Sequence, residues 1–368
     1  MYPFFVKWYF CNKIRHLMKN FYALKVLEIE YLTLESVKIV FDVSKEDAFQ
    51  FKAGQYITLR KEINNEDIRR SYSLSSAPGE GIEIGVKRID NGLMSTFLTK
   101  ELKVGDSIDV MPPTGNFYLD PNEKESHYVA VCAGSGITPI LSMIKEVLNY
   151  NSNSFFTLIY GNQSAKSTMF FNDLKYLERN FQSQLFIHYV FSRQDVVDCF
   201  KSRIDNVLLE KIFNSNKSLK KADSYFLCGP GEMIDNVNQF LKDAGTESNK
   251  IHFERFTSAD NPKKNNSNEI KNDEIISNVM VSVDGDDFEF ELSSKGDTIL
   301  DAAMNAGADV PFSCKGGVCC VCKAKVIEGE VSMDQNYSLS EEEVAEGFVL
   351  GCQARPASEN VVVDFDEI

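Results

Sequence analysis

Four cysteines near the C-terminus, Cys314, Cys319, Cys322 and Cys352, constrain this chain more than any other feature. The stretch Cys314-Lys315-Gly316-Gly317-Val318-Cys319-Cys320-Val321-Cys322 has the spacing C-x4-C-x2-C, and Cys352 follows after 29 intervening residues. Four thiolates at this spacing are the ligand set of a plant-type [2Fe–2S] cluster. Gly316 and Gly317, beside the first ligand, allow a loop to wrap closely around inorganic sulfur. A structural zinc site would pair two short C-x2-C-like hairpins, and the second pair is missing here. Cys320 is surplus to the ligand count, and its neighbour Cys319 fits the spacing better. It reads as a bystander open to oxidation. Such a cluster carries one electron at a time, so the segments before it are read as the source of that electron.

A length of 368 residues suits two to three domains. The 43% hydrophobic and 25% charged content is that of an ordinary globular chain. Cys11, Cys132, Cys199, Cys228 and Cys320 are scattered without a disulfide framework, which favours a reducing cytoplasm. No apolar run approaches the roughly 20 residues that a membrane-spanning helix needs. The first 20 residues carry Lys7, Lys13, Arg15 and Lys19, no acid, and six aromatics. They lack the apolar stretch and cleavage site of a signal peptide. A basic, aromatic-rich segment suits contact with a membrane surface. The preferred reading is an extension of little structural consequence, with Met18 as a second possible start.

The net charge of −15 is concentrated at one end. Residues 278 to 368 hold 19 Asp and Glu against 5 Lys and Arg, a charge of −14, so the remainder is close to neutral. This balance disfavours nucleic-acid binding. An acidic face around a cluster can steer a basic protein partner toward it in a salt-dependent way.

Along the chain, residues 21 to 120 read as short strands. Phe21 to Ile29, Ser36 to Phe41 and Gln55 to Leu59 alternate in part with period two. Gly54, Gly85, Gly92, Gly105 and Pro112-Pro113 punctuate them as turns. Many short strands of even spacing predict a small antiparallel barrel. Residues 127 to 256 alternate buried-type strands with helical runs, which predicts a parallel sheet covered by helices on both faces. Residues 257 to 277 are polar and aperiodic and read as a linker. The acidic segment from 278 onward forms a third domain.

Arg70, Tyr72 and Ser73, in Arg69-Arg70-Ser71-Tyr72-Ser73, suit a flavin. The arginine can pair with a pyrophosphate. Tyr72 lies two residues on, hence on the same strand face, where it can stack on the ring. Ser73 can offer its hydroxyl to the ring edge. Gly92 and Ser95 fall where a strand passes through a glycine turn into a helix, a suitable phosphate site. A plain N-cap by Ser95 explains the same residues equally well. Gly134, Gly136 and Thr138, in Ala133-Gly134-Ser135-Gly136-Ile137-Thr138-Pro139, follow a buried strand and open a helix. There glycines admit a dinucleotide and the helix N-terminus favours its phosphates. Cys228 and Gly229 end the last strand of the same sheet, at the carboxyl edge where ligands bind. Ser192 and Arg193 follow another strand; their hydroxyl and guanidinium fit an adenosine 2′-phosphate, which selects NADPH over NADH. Glu254 and Phe256 close the second domain. An aromatic at Phe256 suits either the open face of a flavin or the anchoring of a terminal strand.

In this order, Arg70-Ser71-Tyr72-Ser73, Ala133 to Pro139, Cys228-Gly229-Pro230, Glu254-Arg255-Phe256 and the four cysteines resemble the ferredoxin–NADP reductase superfamily fused to a C-terminal plant-type ferredoxin. The resemblance covers about residues 21 to 368 and is nearest to reductase components that serve phenylacetyl-CoA epoxidase and its relatives. It implies a multidomain β, α/β and α+β chain: an extension over 1–20, an antiparallel FAD-binding β-barrel over 21–122, a parallel-sheet NADP-binding α/β domain over 123–256, a linker over 257–277, and a β-grasp ferredoxin domain over 278–368.

The resemblance further implies that Arg70, Tyr72, Ser73, Gly92 and Ser95 bind FAD, with FMN as the alternative. Gly134, Gly136, Thr138, Cys228 and Gly229 would border the nicotinamide dinucleotide, and Ser192 and Arg193 its 2′-phosphate. Glu254 and Phe256 would sit by the flavin ring. Ser73, Cys228 and Glu254 would tune hydride transfer, and Cys314, Cys319, Cys322 and Cys352 would hold the cluster. Electrons would pass from NADPH to flavin, singly to the cluster, and on to an acceptor protein. A diiron oxygenase is the expected acceptor. A Rieske oxygenase, a desaturase or a free ferredoxin is the alternative, and a ferredoxin-type carrier with inactive flavin domains is the remaining reading.

Overall fold

The computed structural model describes residues 21–121, 124–150, 152–256 and 274–367. The N-terminal extension and residues 257–273 of the expected linker lie outside them. The chain divides into two compact units, one built on residues 23 to 258 and the other on the C-terminal segment.

The first unit begins with an antiparallel barrel. Its strands are β1 (Tyr22–Thr33), β2 (Ser36–Asp42), β3 (Tyr56–Ile63), β4 (Glu66–Ser73), β5 (Ile82–Lys87) and β6 (Ser107–Thr114), in the order β4-β3-β6-β1-β2-β5. Period-two alternation sends Leu24 and Val26 of β1, Ile39 and Phe41 of β2, and Ile82, Ile84 and Val86 of β5 inward. Leu74, just past β4, bridges to Ile84 of β5, so the two edge strands meet and the sheet closes. Helix α1 (Leu93–Lys100) follows β5.

The same unit continues as a five-stranded sheet in which every neighbouring pair is parallel. Its strands are β7 (His127–Ala133), β8 (Phe155–Asn162), β9 (Leu185–Phe191), β10 (Ser224–Gly229) and β11 (Ile251–Arg255), ordered β11-β10-β7-β8-β9. Helices α2 (Ile137–Tyr150), α3 (Phe171–Asn180), α4 (Asn206–Ser215) and α5 (Gly231–Asp243) cover it. Alternate residues of β7 serve two cores. Ala130 and Cys132 pack with α2 and α3, and Val129 and Val131 pack with α4 and α5. That is why the strand reads as a continuous apolar run. The strand order reverses between β7 and β10, the position at which open α/β sheets form a ligand crevice.

The second unit has a mixed sheet ordered β13-β12-β18-β14-β16. These are β12 (Ile276–Val283), β13 (Asp286–Ser293), β14 (Lys323–Glu328), β16 (Phe348–Leu350) and β18 (Asn360–Asp364), with a small pair of β15 (Val331–Met333) and β17 (Ala354–Pro356) beside it. Strands β12 and β18 are parallel and their outer neighbours antiparallel. Helix α6 (Ile299–Asn305) buries Ile299, Leu300 and Ala303 against Val279, Val281 and Val363, the β-grasp arrangement. A short helix α7 (Glu341–Ala345) opens with a capping box between Ser340 and Glu343. Strand β12 starts at Ile276, inside the stretch read as linker. Ser277 is buried there, and its hydroxyl donates to the Ser358 carbonyl at 2.6 Å. A polar residue with a buried partner carries no apolar signal in the sequence.

Candidate functional site

Arg70, Tyr72 and Ser73 all lie on β4, with Arg70 and Tyr72 on one face. Arg70 Nη1 donates to the Arg69 carbonyl at 2.8 Å, and the guanidinium enters no ion pair among the described residues. Arg69, by contrast, is buried and committed to Asp67. Burial pushes the Tyr72 phenol well above its ordinary range, with the Arg70 charge opposing it, so the ring is neutral. A half-buried arginine with no counter-ion among the described residues, beside an aromatic ring, fits FAD, which brings both a diphosphate and a π-face.

Ser73 is buried and donates to Glu254 Oε2 at 3.2 Å, joining the end of β4 to β11. Burial pushes the Glu254 carboxyl up to about 8, and the Ser73 hydrogen bond opposes the shift. Cys228 is buried at the end of β10, in register with Glu254 on β11 and Cys132 on β7. Burial also raises its thiol well above the ordinary range. Ser73, Glu254 and Cys228 therefore meet as neutral, weakly polar groups. Phe256, just past β11, is 39% exposed.

The segment after β7 forms a 3-10 turn over Gly134–Gly136 that runs into α2. Gly134 has φ +58°, a left-handed conformation suited to glycine. A Cβ on Gly136 would lie 2.3 Å from the Cys228 carbonyl oxygen, so only glycine lets this turn sit against β10. The two loops that the sequence assigned to one sheet edge are thus in direct contact. Thr138 is buried, and its hydroxyl donates to the Ser135 carbonyl at 3.1 Å, closing the turn. Ser192 and Arg193 follow β9 and are exposed. Their backbone N–H groups donate to the carbonyls of Asn162 and Gln163, each at 2.9 Å. Arg193 enters no ion pair among the described residues.

Two local expectations change. The N-cap of α1 is Gly92, and Ser95 stands inside the first turn. Its buried hydroxyl accepts from the Ile89 N–H at 3.1 Å and donates to the Gly92 carbonyl at 3.3 Å. The chain doubles back over the helix start there, and a Cβ on Gly92 would come 2.6 Å from that hydroxyl. Gly85, read as a turn, lies buried within β5. A Cβ there would meet the Phe170 ring at 2.6 Å and the Thr138 methyl at 2.8 Å. A lone glycine inside a strand pattern signals such a close approach. Phe170 itself carried no signal.

In the second unit the four expected ligand cysteines come together. Side-chain hydrogen bonds with Cys319 and Cys352 pull the Cys314 thiol far below its ordinary range, and Cys352 also contacts Cys322. The Gly316 N–H points at Cys314 Sγ at 3.3 Å and the Cys314 N–H at Cys319 Sγ at 3.5 Å. Four connected thiols with backbone donors aimed at sulfur fit a [2Fe–2S] cluster. Cys320 turns away. It has φ +48°, and its thiol donates to the Ser338 carbonyl at 3.3 Å.

Three family models match along the chain: an oxidoreductase FAD-binding domain over residues 23–118, an oxidoreductase NAD-binding domain over 130–239, and a 2Fe-2S iron-sulfur cluster binding domain over 281–357. The chain is 39% identical over 355 residues to one of the subunits of 1,2-phenylacetyl-CoA epoxidase from Escherichia coli (strain K12), covering 95% of this chain and 99% of that one. The chain belongs to the family of flavoprotein reductases that end in a plant-type [2Fe–2S] ferredoxin domain. It is also 31% identical to the ferredoxin reductase component of 3-ketosteroid-9-alpha-monooxygenase of Rhodococcus rhodochrous, over 90% of this chain and 93% of that one. A solved phthalate dioxygenase reductase, described as a modular structure for electron transfer from pyridine nucleotides to [2Fe-2S], matches with a TM-score of 0.59 and 26% identity. That match covers 94% of this chain and 98% of the other. This chain is an oxidoreductase with an FAD-binding domain, an NAD-binding domain and a 2Fe-2S cluster binding domain on one polypeptide. No helix among the described residues is long and apolar enough to cross a membrane.

Proposed function

We propose that this chain is an NADPH-dependent reductase that supplies electrons to a diiron oxygenase of the phenylacetyl-CoA epoxidase type. The observation that carries the acceptor class is the end-to-end likeness to a component of that epoxidase. When bound, the flavin supplies the chemistry that accepts two electrons from the nicotinamide and releases them one at a time.

The chain's own residues do the rest. Arg70 anchors the flavin diphosphate and Tyr72 stacks on the ring. Backbone N–H groups at the start of α1, between Gly92 and Ser95, complete the phosphate contact, while the Ser95 hydroxyl holds the turn that presents them. Gly134, Gly136 and Thr138 shape the turn that receives the dinucleotide, and Cys228 and Gly229 form its opposite wall. Ser192 and Arg193 select the 2′-phosphate; the absence of a counter-ion at Arg193 among the described residues supports this. Ser73, Cys228 and Glu254 keep a neutral, water-poor surface at the point of hydride delivery, and Phe256 covers it. Cys314, Cys319, Cys322 and Cys352 hold the cluster, and Cys320 does not. The acidic surface of the cluster domain steers a basic acceptor by long-range attraction. Cysteines that form no disulfide among the described residues suit a reducing cytoplasm.

Relatives whose names assign them to 3-ketosteroid and glycine betaine monooxygenases, at 28–31% identity, support a second acceptor reading, a Rieske-type or other oxygenase. The deciding experiment is an anaerobic titration of the purified holoprotein, followed by mixing with a diiron epoxidase component. Faster bleaching of flavin and cluster bands by NADPH than by NADH, and onward transfer to the diiron protein, support the proposal. Faster bleaching by NADH overturns the nucleotide assignment. Failure to reduce the diiron protein overturns the acceptor assignment.

A further inference from the structure

Tyr160 lies on β8, fully buried, in register with Cys132 of β7 and Tyr189 of β9. Its hydroxyl has two carbonyls within reach: Gly134 at 2.9 Å and Met169 at 3.3 Å. Burial keeps the phenol protonated far above its ordinary range, so it acts as a permanent donor. Each carbonyl marks a different structure. Gly134 opens the turn that meets the Cys228 carbonyl. Met169 precedes Phe170, which adopts a left-handed conformation (φ 55°, ψ 26°) that bulky side chains rarely take. That conformation drives the buried Phe170 ring against Gly85, in the barrel strand β5. The single phenol O–H, shared between these two carbonyls, therefore ties the Gly134 turn to the wedge that contacts the barrel.

We infer that Tyr160 is a positioning residue, which holds the Gly134–Gly136 turn in register with the flavin barrel through Met169 and Phe170. The inference rests on the reading that this turn receives the nicotinamide dinucleotide. A ligand that must meet both the turn and a group in the barrel depends on the spacing between them, and misplacement of about 1 Å is costly in such sites. Tyr160 touches neither ligand in this scheme. It acts through the backbone that it holds.

The test uses full-length holoprotein as wild type, Tyr160→Phe, Phe170→Leu and the double variant, with flavin and iron content measured for each. Binding of oxidised nucleotide is followed by perturbation of the flavin spectrum, using whichever of NADP+ and NAD+ the wild type holds more tightly. Amide exchange is followed in peptides covering residues 133–139 and 165–171. The expected result is nucleotide binding weakened about tenfold by Tyr160→Phe, the scale of one lost buried hydrogen bond. Exchange rises in both peptides together, and flavin and iron contents stay unchanged. The double variant is no weaker than the weaker single variant, because both changes cut one connection. Binding within about twofold of wild type with unchanged exchange, or fully additive effects, overturns the inference. Loss of flavin from Tyr160→Phe with exchange raised throughout the unit also overturns it, since that marks a residue of the core alone. If wild-type flavin responds to neither nucleotide, the nucleotide-site reading itself falls, and the inference with it.

Discussion

The Ser73 hydroxyl donates a 3.2 Å hydrogen bond to the Glu254 carboxyl group, joining β4 to β11 across 181 residues of sequence. Burial holds that carboxyl at about 8, against an ordinary value of 4.5, so it is mostly protonated at neutral pH. The folded protein binds this proton more tightly than the unfolded chain does. The group's contribution to stability is therefore full below pH 4.5 and is lost as pH rises through about 8. On the proposed reading, in which Glu254 lines the point of hydride delivery, an ionised carboxylate there would also repel the charge that arrives. The rate of flavin reduction by NAD(P)H should fall as pH rises through about 8, and Glu254→Gln should flatten the profile. Stopped-flow reduction over a pH series checks this; an unchanged inflection in the variant would remove Glu254 from the site.

Cys314 and Cys320 are six residues apart but differ in surroundings, and they should differ in consequence. Cys314→Ser should lose the cluster, seen as lost iron and lost visible absorbance, while NAD(P)H still bleaches the flavin. Cys320→Ser should keep both, because its thiol contacts the Ser338 carbonyl. Iron analysis of the two purified variants decides whether Cys314 is a ligand and Cys320 is not.

Arg193→Ala should raise the KM for NADPH by about ten- to a hundredfold, the range for one charge-assisted hydrogen bond, and leave NADH nearly unaffected. Steady-state kinetics with both nucleotides checks this. Equal losses for both would move the 2′-phosphate elsewhere.

Gly136 and Gly134 are two residues apart and should respond to alanine for different reasons. At Gly136 the new methyl meets the Cys228 carbonyl oxygen, and backbone must shift. Gly136→Ala should cost about 1–3 kcal/mol and weaken nucleotide binding. At Gly134 there is space, but φ +58° is unfavourable for alanine. Gly134→Ala should cost about 1 kcal/mol. Urea unfolding of both variants separates the two causes.

If the acidic cluster domain steers the acceptor as proposed, electron delivery should slow as ionic strength rises, since such long-range attraction is screened within about 8–10 Å at physiological salt. Flavin reduction by nucleotide should stay flat over the same salt series. A salt-independent transfer rate would sink the electrostatic docking reading.

The sequence by itself determined the chemistry that depends on short spacing. C-x4-C-x2-C states a ligand set, Arg70 and Tyr72 share a strand face because side chains alternate, and Gly134 and Gly136 mark a tight turn before a helix. The barrel and the parallel sheet were legible for the same reason, since period-two patterning and strand–helix alternation are local, whereas charge segregation marked the extent of the third domain and left its β-grasp fold to the resemblance. Tertiary structure decided what meets what. It brought Cys352 to the other three thiols, set Glu254 against Ser73, and put Gly136 beneath the Cys228 carbonyl. It also moved the cap of α1 from Ser95 to Gly92, and it made Gly85 a contact surface for Phe170 where the sequence suggested a turn. Tyr160 read only as one more residue of a buried strand. Its role depends on which carbonyls surround its hydroxyl, and closure of the fold sets those neighbours, which no spacing along the chain records.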